Sequence, residues 1–317
     1  MTSYTHIPVL LQEVLQLTSP KPGDVCIDAT LGGGGYTKAI LEKTAPNGKV
    51  LSIDLDADAI VAFQHLVKDQ GLSIKDRSIV VHGNFADIAT IAREHGFESA
   101  QVIVADIGLS SYELDQAGRG ISFQKDEPLD MRFNASGVGA TAASILANST
   151  EEELAYIFKT YGEEKFATKI ARDIVRNRTS SHITTTFELV DFITASIPGR
   201  LKHKALDSVR RIFQSLRIAV NGELENLERF LPDALHILAP GGVLAVVSFH
   251  SLEDRIVKQF FAKTAQGCIC PKDFPVCRCA QSAVAEILTK KPIVAGDSEV
   301  SRNSRAKSAK LRAIKKL

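Results

Sequence analysis

The chain has 317 residues, 44% of them hydrophobic and 24% charged, and its Lys+Arg 38 against Asp+Glu 37 leave a net charge of +1. Such a composition supports one large domain, or one domain carrying an insertion, and excludes a chain that is basic throughout while leaving room for local patches. No apolar run approaches a membrane span, and Met1 to Leu10 lacks a charged stretch followed by a hydrophobic core, so a cytoplasmic protein with no membrane association is expected.

His6 to Leu15 predicts a short helix entered through Pro8, ended by the turn Lys21-Pro22-Gly23-Asp24. Val25 to Asp28 reads as a short buried strand, followed by Gly32-Gly33-Gly34-Gly35 and an amphipathic helix through Ala39, Ile40 and Leu41. A turn at the carboxyl end of a parallel strand, opening into a helix N-terminus, is where open α/β sheets hold nucleotides. Glycine suits that turn because the backbone takes φ > 0 and approaches a ligand with no Cβ in the way; a plain surface turn is the alternative. Lys49 to Asp54 predicts a second strand whose terminal acid is placed for ribose hydroxyls, or for capping the next helix. Ala57 to Lys68 reads as helix and Ser78 to His82 as a third strand, left through Gly83-Asn84-Phe85-Ala86-Asp87. A helix through Ile88, Ile91 and Ala92 leads to a fourth strand, Gln101 to Asp106. Strands alternating with helices predict an α/β fold, a parallel sheet with helices on both faces. The first, second and fourth strands end in acids, so polar groups gather along one edge.

The alternation stops near residue 112. Tyr112 to Ala140 is glycine-rich and charged and reads as ordered loop; Thr150-Glu151-Glu152-Glu153 marks a helix start, and the pattern stays helical to about Phe192. Residues 112–204 are therefore expected to form an inserted, mostly helical domain, with 1–111 and 205–317 as a discontinuous core. Arg211 to Leu231 reads as one long helix and Val243 to Ser248 as a fifth strand, with the polar exit Phe249 to Arg255. A helix capped by Ser251 explains Glu253 and Asp254 in that exit but leaves His250 without a reason.

Three segments are basic. Lys165, Lys169, Arg172 and Arg176 fall at helical spacing; Arg200, Lys202, Lys204, Arg210, Arg211 and Arg217 follow; and residues 302–317 carry cations with no acid. Phosphate contact is the natural use of so polarised a surface, and a solvated face is the alternative for any one segment. Of the cysteines, Cys26 stands alone in a strand while Cys268, Cys270, Cys277 and Cys279 flank Pro271 to Pro275. In a reducing compartment such a cluster favours a metal over disulfides. The spacing is tighter than the usual C-x₂-C, so one structural zinc and four reduced thiols both stay open.

The glycine turn lacks the spaced third glycine of the dinucleotide fingerprint, which counts against a dehydrogenase. Asp28-Ala29-Thr30-Leu31-Gly32, with acids closing the second and fourth strands, fits an S-adenosylmethionine-binding sheet better. Asp106-Ile107-Gly108-Leu109-Ser110-Ser111, Arg119-Gly120-Ile121-Ser122-Phe123, Pro128-Leu129-Asp130-Met131-Arg132, Tyr161-Gly162-Glu163-Glu164, Phe213 to Asn221 and Ser248 to Arg255 follow in that order. With these strings the chain resembles, over nearly its whole length, the bacterial 16S ribosomal RNA cytosine-N4 methyltransferase H family.

The resemblance implies a class I S-adenosylmethionine-dependent methyltransferase, a Rossmann-like sheet split by a helical domain. It also implies methylation of N4 of a cytidine in the decoding region of 16S rRNA, within the small ribosomal subunit, with S-adenosyl-L-methionine as cofactor. Carried over position by position, it implies cofactor contacts at Gly34, Gly35, Tyr36, Asp54, Phe85, Asp106 and Glu113. Tyr36, Glu113 and Glu127 depart from the family pattern, which has His, Gln and Gly there. Asp106 is the first catalytic candidate, accepting N–H bonds from the acceptor amine, and binding the cofactor's own amine is an equal alternative for it. His250 is the second, as proton acceptor or as a group pairing with the base. The basic stripe Lys165, Lys169, Arg172 and Arg176 is the RNA-binding candidate. A non-catalytic RNA-binding assembly factor that keeps the cofactor fold is the rival reading, and monomer and homodimer are both open.

Overall fold

A computed structural model describes residues 8–69, 76–108, 118–134, 139–179, 182–268, 270, 278–279 and 282–317. The chain divides into two compact units, Met1–Ser110 with Leu224–Leu317, and Ser111–Glu223. Among the described residues no helix is long and apolar enough to cross a membrane.

The first unit alternates helices and strands: α1 (Leu11–Thr18), β1 (Val25–Asp28), α2 (Gly35–Lys43), β2 (Lys49–Asp54), α3 (Ala57–Asp69), β3 (Ser78–His82), α4 (Ile88–Glu94) and β4 (Ala100–Ile107). These strands match the apolar runs expected for them, because a strand buried on both faces needs apolar residues at successive positions. Odd and even positions divide between two cores. Ile27, Leu51, Ile53, Ile103, Ala105, Leu244 and Val246 pack with Phe230, Val257 and Phe261 on one face. Cys26, Val50, Val102, Val104, Ala245 and Val247 pack with Val14, Ile40, Leu41 and Phe63 on the other.

The chain returns to this unit through α10 (Glu223–Ile237), β5 (Leu238–Ser248) and α11 (Ser251–Thr264), after the second unit's helices α5 to α9 described below. It then adds β6 (Ala285–Ile287), α12 (Asp297–Arg302) and β7 (Lys310–Lys316). The seven-stranded sheet runs β3-β2-β1-β4-β5-β7-β6. β1 to β5 pair in parallel, whereas β7 is antiparallel to both β5 and β6. The order reverses between β1 and β4, the switch point where an open α/β sheet leaves a crevice at its carboxyl edge.

The last two strands correct the sequence reading. Residues 302–317, expected to be a basic tail for phosphate, contain a strand in the sheet: Leu311, Ala313 and Ile314 are fully buried. Arg312 is buried too, its Nε donating to Asp254 Oδ1 at 2.6 Å, while Lys310 Nζ lies 3.3 Å from Asp254 Oδ2 and Lys316 Nζ donates to the His236 carbonyl at 2.8 Å. Within 302–317, Arg302, Lys307 and Lys315 remain exposed cations.

The second unit holds α5 (Ala142–Asn148), α6 (Glu151–Thr160), α7 (Ala167–Asn177), α8 (Thr186–Ser196) and α9 (Ala205–Asn221). Capping boxes start two of them: Thr150 with Glu153, and Thr185 with Glu188, each side chain taking the backbone N–H the other leaves unpaired. Leu154, Phe158, Ile170, Ile174, Leu189 and Ile193 form a core that also takes Ala205, Val209, Ile212, Phe213 and Leu216 from α9. Each such side chain buried contributes about 1.5–3 kcal/mol, which places α9 with this unit although the sequence boundary at 204 assigned it to the sheet. The single long helix expected over 211–231 is broken at Gly222, whose φ of 58° ends α9 in the left-handed conformation. Glu127, a departure from the family pattern, has a local use: its Oε2 accepts the Gly120 N–H at 3.0 Å.

Candidate active site

The carboxyl ends of β1, β2 and β4 meet around the glycine turn. Asp28 is in register with Ser52 on β2 and Val104 on β4. Asp54 and Asp106 therefore stand at one level beyond it, on either side of the chain leaving β1. Both are tied to that chain: Asp54 Oδ2 accepts the Gly32 N–H at 2.7 Å, and the Asp106 N–H donates to Thr30 Oγ1 at 2.7 Å. The other Asp54 oxygen accepts the Asp56 N–H at 2.8 Å, and the Leu55 N–H is a third backbone donor, which leaves the carboxylate capacity for a further one.

The turn differs from its expected rationale. Gly34 takes φ 72° as predicted, but a Cβ there would fall 2.1 Å from the Phe63 ring, and one on Gly35 2.2 Å from the Pro8 ring. The missing side chains make room for the protein's own packing. What the turn offers a ligand is backbone: the N–H groups of Gly35 and Tyr36 open α2 and have no acceptor within the helix.

Three acids at this edge have raised pKa values. Burial pushes the Asp28 carboxyl up to about 7 despite hydrogen bonds from Thr37 and Thr30, and the Asp54 charge adds to the rise. Asp28 Oδ2 accepts the Thr37 hydroxyl at 2.6 Å, and Thr37 in turn meets the Ser52 hydroxyl at 2.8 Å. Asp54 is raised by burial against the pull of its backbone donors. Asp106 is pushed up to about 8, by burial first and then by the charges of Asp28 and Glu253. Although Asp106 keeps some accessible surface, its Oδ1 is buried and has no hydrogen-bond partner among the described residues. A buried carboxylate oxygen without a donor is costly. A cation or N–H donor from outside the protein would remove that cost.

His250 has a reason the sequence reading did not find. It caps α11 itself, in place of Ser251: Nδ1 accepts the Glu253 N–H at 3.4 Å, and Glu253 Oε2 accepts the N–H groups of Phe249 at 2.8 Å and His250 at 3.2 Å. An accepting Nδ1 sets the neutral tautomer with its proton on Nε2. That nitrogen lies 3.0 Å from Glu253 Oε1 without the alignment of a hydrogen bond. In that tautomer the ring offers Nε2–H as a donor. Register places it near Asp106, which pairs with Val247 on β5.

The remaining sequence candidates scatter. Tyr36 is buried and its hydroxyl donates to the Val9 carbonyl, so that proton serves the fold; burial also raises its phenol. Phe85 follows β3 in a short 3₁₀ turn, half-buried, with its ring edge on Phe230 at 5.3 Å. Glu113 and Cys277 lie outside the described residues. Lys165, Lys169, Arg172 and Arg176 are all exposed on the face of α7 opposite Ile170 and Ile174, or just before it. Two of the four hold surface acids, Lys169 with Asp173 at 2.7 Å and Arg172 with Glu151 at 3.1 Å. In the second basic segment Arg217 is turned inward onto Glu223, with two contacts of 2.8 Å. Asp28, Thr30 and Thr37 were not singled out as site residues, although the Asp-x-Thr run before the glycines was the available signal.

Comparison with known sequences bears on what such an edge does. The model of the MraW methylase family matches residues 3–317. "Ribosomal RNA small subunit methyltransferase H" of Heliobacterium modesticaldum is 47% identical over 315 residues, covering 99% of each chain. The protein of the same description from Geobacter sulfurreducens is 46% identical over 315 residues, 99% of this chain and 100% of that one. Matched by that family's model over residues 3–317 and by relatives over almost their full length, the chain belongs to the MraW methylase family.

Proposed function

We propose that this protein transfers a methyl group from S-adenosylmethionine to small-subunit ribosomal RNA, and that the acceptor is N4 of a cytidine in the decoding region of 16S rRNA. The observation that carries the reading is Oδ1 of Asp106, without a partner among the described residues and buried at the exit of β4 beside the glycine turn and Asp54 in a chain of a methylase family. When bound, S-adenosylmethionine supplies a methyl group made electrophilic by its sulfonium.

The residues at the edge fit that cofactor. Asp54 would accept a ribose hydroxyl with the capacity its three backbone donors leave, and Phe85 would border the adenine. The backbone of Gly34, Gly35 and Tyr36 would hold the methionine end. Acids whose carboxyls are raised by burial gain most from a cationic ligand, which favours their ionised form.

Toward the RNA, the N4 lone pair of cytosine is delocalised into the ring, so the amine is a nucleophile only when its N–H groups are held out of conjugation. Asp106 Oδ1 accepts one of those N–H bonds and receives the proton the amine sheds; a carboxyl raised to about 8 is a competent base at neutral pH once ionised. His250, with its proton on Nε2, donates to an acceptor on the base. The exposed stripe on α7 contacts phosphate.

The test incubates the protein with methyl-labelled S-adenosylmethionine and small subunits from a strain lacking this modification, then separates the nucleosides. Label in N4-methylcytidine is expected. No label in RNA overturns the reading, and label on a ring carbon or ribose overturns the choice of N4.

A further inference from the structure

The chain leaves α11 at Thr264 and comes back at Val284, whose N–H donates to the Thr264 carbonyl at 3.0 Å. Between them none of the described residues is buried, so none of these belongs to a hydrophobic core. Small segments without a core are usually held by a cross-link or a metal. Here Cys268, Cys270 and Cys279 bring their sulfurs within 4.8 Å of one another.

The spacing of these sulfurs is informative. Cys279 Sγ and Cys268 Sγ are 3.7 Å apart, and no disulfide joins the described cysteines. A disulfide needs about 2.05 Å. Four thiolates about 2.3 Å from one tetrahedral zinc stand about 3.8 Å apart along each edge. The Arg278 N–H donates to Cys270 Sγ at 3.3 Å, the kind of backbone N–H···S contact that stabilises a thiolate and orients it as a ligand.

We propose that Cys268, Cys270 and Cys279 bind one thiophilic divalent cation, Zn²⁺, which closes this excursion. Thiolates select zinc over magnesium or calcium, whose ligands are oxygens. The fourth ligand is not assigned: Cys277 lies outside the described residues. The role is structural. The cysteines follow the C-terminus of α11, a helix of 14 residues, or about 20 Å. His250 caps the other end of that helix. Metal there fixes the connection into β6, which pairs with β7.

The experiment uses the full chain, untagged and purified under reducing conditions without chelator. Metal analysis should find about one zinc per chain, and replacing it with Co²⁺ should give the near-ultraviolet thiolate-to-cobalt charge-transfer bands and intense visible bands of a tetrahedral sulfur site. The double variant Cys268→Ser with Cys270→Ser should lose both metal and bands while keeping a wild-type circular dichroism spectrum. In the wild type, a chromogenic chelator should report zinc release as these thiols are titrated with a mercurial. Less than a tenth of an equivalent of zinc retained after loading and desalting overturns the proposal, as does zinc that the double variant still holds. A Cys268–Cys279 disulfide in the freshly isolated reduced protein overturns it as well.

Discussion

Strand β5 has β4 on one side and β7 on the other, and each flank involves an aspartate in a different state. Toward β4, Asp106 has a buried oxygen with no partner among the described residues, and its carboxyl is pushed up to about 8. Toward β7, Asp254 meets Arg312 and Lys310. Burial alone would raise Asp254 as well, but the hydrogen bond and charge of Arg312, joined by Lys310, outweigh it and hold the carboxyl below the usual range. The same side chain, in two places close to one strand, therefore does opposite work. Where the chain supplies the cation, the acid serves the fold; where the described residues supply none, the acid is the one proposed to meet a ligand.

Arg312→Met should expose this contrast most strongly. Removing one partner of a nearly buried pair leaves Asp254 with only the half-exposed Lys310, and about 3 kcal/mol should disappear from the urea unfolding free energy at pH 7. The pH sign follows from the depressed carboxyl. Its contribution is full above the ordinary value of about 3.9 and is lost as pH falls through the lower folded value, so wild type and variant should converge below about pH 4. A gap that persists in acid would mean that Arg312 acts through packing alone.

Asp106→Asn should behave in the opposite way. Methyl transfer should fall by about a hundredfold, while stability of the ligand-free protein should not fall. Between about pH 4, where the unfolded carboxyl ionises, and the folded value of about 8, Asp106 costs the wild type stability as pH rises, a loss the asparagine variant lacks while the losses from Asp28 and Asp54 stay in both. On the proposed contact a cationic cofactor ionises Asp106, so calorimetry on the wild type should show proton release and an affinity that rises up to about tenfold per pH unit below 8, and flattens above. Equal losses of activity and stability would erase the distinction between the two aspartates.

The basic segments carry the contrast to smaller effects. Replacing Lys169, Arg172 and Arg176 with Ala should leave stability within about 1 kcal/mol, since exposed pairs of this kind contribute little. The salt dependence of RNA binding should lose about 0.7–0.9 in logarithmic slope for each phosphate contact removed, and an unchanged slope would make the stripe a solvated face. Smallest is Tyr36→Phe, expected to cost about 1 kcal/mol in stability with cofactor affinity unchanged. A weaker cofactor affinity would turn that hydroxyl outward, to the side of Asp106.

The parallel half of the sheet was legible because its strands are continuous apolar runs ending in acids, as in Val50 to Asp54 and Val102 to Asp106. The positions of the proposed site residues were legible to the same depth: Asp54 and Asp106 lie at strand ends and Phe85 follows one. What escaped depends on partners distant in sequence. β7 reads as a basic tail because the acid that neutralises Arg312 is Asp254, on another element. His250 looked unexplained because histidine is an uncommon cap, and only the geometry shows Nδ1 taking the place of a Ser or Asp oxygen. The break at Gly222 was hidden by apolar periodicity that continues through it, and the use of Gly34 and Gly35 by Phe63 and Pro8, which approach from α3 and from ahead of α1.

The antiparallel strand has a consequence for synthesis. β7 is made after every other strand of its sheet, and 62 residues separate Ser248 from the Lys310 it meets. At about 5–20 residues per second, a nascent chain keeps the outer margin of β5 uncovered for several seconds after that strand emerges. Val243 to Val247 are apolar, and an unpaired apolar strand is a template for other chains. Yield in the cell should thus depend on translation speed across residues 249–309, and slow codons there should send more of the product into aggregates even though the finished protein is unaltered.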